Sequence, residues 1–61
     1  MRVDEIGTLI RDGGAFYLRR DLGGSLRIGI AAPFDLVEKR VRLVGTLVGP
    51  ALVNADGVAP N

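Results

Sequence analysis

Few side chains in this 61-residue chain could do chemistry, and their types narrow what that chemistry could be. With no cysteine and no histidine, the usual ligands of zinc and soft metals and the usual nucleophile–base pairs are missing. Asp35 and Glu38 stand three apart, in the manner of paired carboxylates of an acid–base site, but no complementary base accompanies them. A capping pair at the start of a short helix is the simpler role. Gly13-Gly14 and Gly23-Gly24 have the look of phosphate-cradling loops, yet such a loop must lead into a helix N-terminus, and both pairs lead into strand-like segments. Hairpin turns account for them. The expectation is a non-enzymatic protein with no metal and no cofactor.

One pattern does have a chemical use. In residues 15–20 Tyr17 and Arg19 alternate with apolar Phe16 and Leu18, and Arg27 occupies a polar position in the next segment. An aromatic ring with two guanidinium groups on one sheet face can stack on bases and hold phosphates, so single-stranded nucleic acid is the ligand to consider. Arg20 and Arg42 would extend such a patch. Ordinary solvation of a half-exposed sheet would use the same residues, and a net charge of +1 provides no strong basic surplus for nucleic acid.

These residues need elements to position them. At 48% hydrophobic the chain is too apolar for disorder, and its length allows one domain, residues 1–61, with marginal stability. A first strand is predicted over residues 3–10, turning at Asp12-Gly13 into a second over residues 15–20. After Asp21-Leu22-Gly23-Gly24 comes a third over residues 25–30, with Leu26, Ile28 and Ile30 on one face and Ser25, Arg27 and Gly29 on the other. Residues 31–40 are expected to make one or two helical turns, with Pro33 at the first helical position and Phe34, Leu36 and Val37 plugging one end of a barrel. A fourth strand spans residues 41–48 and a weaker fifth residues 51–55, with residues 57–61 a fraying tail.

Two look-alike segments, Ile6-Gly7-Thr8-Leu9-Ile10 and Val44-Gly45-Thr46-Leu47-Val48, frame the molecule. Alternation fails in both, so whichever face turns inward, apolar residues remain outside. With Gly7, Leu9, Leu43, Gly45 and Leu47 inward, Ile6, Ile10, Val44 and Val48 form an outward β-branched stripe beside Thr8 and Thr46. Such a stripe suits a homodimer or another protein partner. Burial of both faces within one chain is the competing reading. No apolar run approaches the ~18 residues of a membrane span, and the first residues lack a signal-peptide core, so a cytoplasmic protein with no membrane partner is expected.

The order strand, strand, strand, helix, strand, strand is that of a five-stranded OB-fold-like barrel; an open sheet with one helix is the lesser alternative. Gly7-Thr8-Leu9, Gly13-Gly14 with Phe16-Tyr17-Leu18-Arg19, Gly23-Gly24 with Leu26, Leu36-Val37 with Lys39-Arg40-Val41, Val44-Gly45-Thr46 and Leu52-Val53 together resemble short uncharacterised OB-fold-like domains of alphaproteobacteria. The resemblance covers nearly the whole chain and implies the fold, not an activity. Two positions depart from it. Glu38 stands where such domains often have glycine, which speaks against a left-handed cap there, and Leu26 stands where an aromatic is common.

Overall fold

The computed structural model describes residues 1–29 and 34–61. Five strands dominate it: β1 (Arg2–Asp12), β2 (Ala15–Arg20), β3 (Ser25–Ile28), β4 (Arg40–Leu47) and β5 (Leu52–Pro60). β1 pairs antiparallel with both β2 and β4, β2 with β3, and β4 with β5. A two-residue parallel contact, Arg27 with Leu52 and Ile28 with Val53, joins β3 to β5. The sheet therefore closes in the order β1-β2-β3-β5-β4.

Inside the ring lie Leu9, Phe16, Leu18, Leu26, Ile28, Val41, Leu43, Val53 and Ala55, with no buried polar side chain among the described residues. Leu9, Leu18 and Leu43 are fully buried, so truncating any one to alanine costs about 2–5 kcal/mol. Of the two possible parities of the twin segments, the inward set is Gly7, Leu9, Leu43 and Gly45, with Leu47 packed at the margin of the core.

The twin glycines are needed for close backbone approach. A Cβ on Gly7 would lie 2.2 Å from the Arg19 carbonyl oxygen on β2, and one on Gly45 2.5 Å from that of Asn54 on β5. The tight contacts are thus to the outer neighbours of the twin strands, not across the β1–β4 ladder, where Gly7 faces Val41 and Gly45 faces Val3. Gly45 also sits at a bulge, where the pairing steps from Val44–Gly57 to Gly45–Ala55 and leaves Asp56 as the extra residue of β5.

Local expectations shift in instructive ways. Asp12 pairs with Ala15, so the centre of the first turn is Gly13-Gly14 (φ 59° and 84°), one residue later than the predicted Asp12-Gly13. Both central positions of a type I′ turn need positive φ, and glycine at each supplies it at no steric cost. β3 ends at Ile28, while the expected Ile30 and Pro33 lie outside the described residues. Among the described residues the predicted helix is a 3-10 turn, Phe34–Leu36. Leu36 and Val37 pack on the core as expected, but Phe34 is 66% exposed and does not plug the end. Phe34 opens the turn, and the places on the core are taken by Leu36 and Val37.

Glu38 is left-handed after all, at φ 67°. β1 holds it there: the Glu38 N–H donates to the Leu9 carbonyl (2.6 Å), and the Leu9 N–H donates to that of Lys39 (3.1 Å). β5 is also longer than predicted. Residues 57–60, read as tail, pair with Val41–Val44 of β4, and the Asn61 N–H donates to the Arg40 carbonyl.

Candidate functional site

The register assembles a surface that no single segment contains. Tyr17 on β2 stands opposite Ile10 on β1 and Arg27 on β3, and Arg27 in turn opposite Leu52 on β5. Directly opposed residues have Cβ atoms about 5 Å apart, so these four side chains form one transverse row on the outer face. A second row runs beside it, Arg40, Thr8, Arg19 and Ser25 across β4, β1, β2 and β3. Tyr17 is half-buried against its neighbours, whereas Arg19 and Arg27 are exposed. Shallow concavities flank the rows, one lined by Ile10, Asp12, Tyr17, Arg19 and Ser25, the other by residues 14–16 and 27–29 with Leu52.

Charge is distributed unevenly around the ring. Four cations are ion-paired: Arg2 with Asp56, Arg20 with Glu5 (3.9 Å), Arg40 with Asp21 and Arg42 with Asp4. Arg42 donates from Nε to Asp4 Oδ1 at 2.7 Å, and Arg40 from Nη1 to Asp21 Oδ1 at 2.8 Å. These hydrogen bonds hold the Asp4 and Asp21 carboxyls below the usual carboxylate range. Arg11, Arg19, Arg27 and Lys39 have no ion pair among the described residues.

Of the residues predicted for a nucleic-acid patch, Tyr17, Arg19 and Arg27 come together on the β2–β3 face. Arg20 does not join them. It shares the inward parity of Phe16 and Leu18, and at the rim its Nε donates to the Gly23 carbonyl (3.0 Å). Arg42 is two strands away on β4 and engaged by Asp4.

The four stripe residues separate as well. Val44 opposes Asp4 and Ile6 opposes Arg42, so the Asp4–Arg42 ion pair runs diagonally between the two apolar side chains. Ile10 belongs to the Tyr17 row, and Val48 lies beyond the end of β4 with its N–H donating to the Leu52 carbonyl. Ile10 and Leu52 are members of the row that sequence reasoning missed. The Gly13-Gly14 turn carried the signal for Ile10, since centring it there pairs residue 12 with 15 and hence 10 with 17. Nothing local announces Leu52, because β5 meets β3 only on closure.

The geometry defines a small closed β domain with an aromatic and cationic outer face. Residues 6–61 match the family described as "Protein of unknown function (DUF5818)", and the chain belongs to that family. No curated protein and no solved structure matches it. Among the described residues no helix is long and apolar enough to cross a membrane.

Proposed function

We propose that this chain is an OB-fold barrel that acts as a non-enzymatic binding module for single-stranded nucleic acid. The five-stranded ring, with β1 joined to β4 and β3 meeting β5 through only two residue pairs, supports the OB reading of a partly open barrel, and that fold presents its β2–β3 face to oligonucleotides. The observation that carries the ligand class is the row Ile10, Tyr17, Arg27, Leu52, with Arg19 beside it. A ring flanked by apolar side chains can stack on a base, and two guanidinium groups without acid partners can meet phosphates.

Titration of fluorescent single-stranded oligonucleotides at low and moderate salt tests this. Binding should weaken with salt, with a logarithmic slope of about −1.4 for two phosphates neutralised. Stacking on one aromatic contributes roughly 1–3 kcal/mol, so Tyr17→Ala should lower affinity by about 5- to 150-fold. Flat titrations of the unaltered protein would remove the proposal. Self-association through Ile6 and Val44 is the rival, supported by Ile6 being 40% exposed. Sedimentation over a concentration series decides it, with Val44→Lys as the disruptive control.

A further inference from the structure

The one exposed phenylalanine lies outside the rows described above. Phe34 is 66% exposed, yet its ring is held from two directions. Phe16 packs against it edge-to-face, with centroids 5.5 Å apart and planes at 71°, and the Arg11 guanidinium lies 5.0 Å from its centroid. Phe16 ties this pair to the candidate face: it precedes Tyr17 in β2, opposes both Arg11 and Ile28, and lines the same concavity as Arg27. Arg11 is one of the cations with no acid partner among the described residues.

We infer that Phe34, braced by Phe16 and Arg11, is a second nucleobase-stacking station, so that the ligand strand continues from the Tyr17 row over the end of the closed sheet. This rests on the single-stranded nucleic-acid reading and adds to it a site and a direction. A large exposed ring pre-set by neighbours loses little freedom when a base stacks on it, and every base offers a π-face. Asp35, next to Phe34 in sequence, and the engagement of the Arg11 guanidinium on the ring disfavour phosphates at this end. The station therefore takes a base, while the phosphates follow Arg27 and Arg19. An aromatic or apolar protein segment is the other conceivable occupant; the unpaired guanidinium over the ring and its continuity with the Arg27 concavity favour the nucleic acid.

The test compares a short oligothymidylate of about three nucleotides with one of about ten, by fluorescence anisotropy at low salt, on the intact chain. Phe34→Ala should weaken the longer oligonucleotide by about 5-fold or more and leave the shorter one unchanged, whereas Tyr17→Ala should weaken both. Phe34→Trp adds a reporter whose emission should be quenched saturably by the longer oligonucleotide. Equal affinity of Phe34→Ala and the unaltered chain for the longer strand, or Phe34→Trp emission that ignores saturating oligonucleotide, overturns the station while leaving the Tyr17 site standing. Absence of binding by the unaltered chain overturns both. Circular dichroism of each variant confirms that the fold is retained.

Discussion

The β1–β4 face and the β2–β3 face share a core and a strand, β1, but handle charge differently. On the first, arginines face acids brought close by the ladder: Arg42 donates to Asp4, Arg2 pairs with Asp56 of neighbouring β5, and Arg40 reaches Asp21. On the second, Arg19 and Arg27 stand in the open beside Tyr17, with serine and isoleucine as neighbours. A net charge of +1 conceals this division. A near-neutral small protein can still present unpaired cations on one face when four of its seven acids are engaged by other arginines, even with Asp12 bordering the Tyr17 concavity.

The largest expected effect comes from removing the closure on which both faces depend. Gly7→Val sets a side chain against the Arg19 backbone, which has no freedom to yield, and should cost about 3 kcal/mol or more. A 61-residue domain has a total stability of roughly 3–9 kcal/mol, so the variant should lose at least about a third of it and its urea midpoint should fall in proportion. A urea midpoint equal to that of the unaltered protein would show that closure does not rest on Gly7.

The faces themselves are separated by paired substitutions. Arg27→Ala should reduce oligonucleotide affinity and lower the magnitude of the salt slope by about 0.7, while Arg42→Ala should leave both unchanged. Equal losses in the two variants would erase the distinction between the faces.

A change on neither face provides the control. Glu38→Gly relieves a left-handed residue and should stabilise by up to about 1 kcal/mol, raising Tm by at most about 4–8 °C with oligonucleotide affinity unaltered.

The smallest effect concerns acid. Asp4 and Asp21 are more acidic in the folded chain, so the stability they contribute is fully present above about pH 4 and is lost as pH falls through their depressed folded values. The Tm difference between the unaltered protein and Asp4→Asn should therefore be greatest at neutral pH and shrink below about pH 4. A constant difference across that window would indicate that the Arg42 hydrogen bond does not set the Asp4 carboxyl.

Much of the fold was legible in the chain because its causes are local. Alternation in residues 25–28 and 15–18 assigned inside and outside correctly, and two glycine pairs marked both hairpins. The candidate face was half legible. Tyr17, Arg19 and Arg27 follow from strand parity, but the removal of Arg20 depends on its place at the rim, and that of Arg42 on an acid 38 residues away. Phe34 misled because spacing implied a longer helix, whereas the described residues of that stretch make one 3-10 turn.

By itself, the sequence determined the number and order of the strands, that glycine pairs turn the first two hairpins and that the twin segments are apolar on both sides, since turn chemistry and period-two patterning act over a few residues. Only the tertiary structure decided which side of those segments faces inward, which arginines are neutralised and which stay free, and that Ile10, Tyr17, Arg27 and Leu52 share a row. Those outcomes depend on the register of strands far apart in sequence, and closure of the sheet sets every register at once.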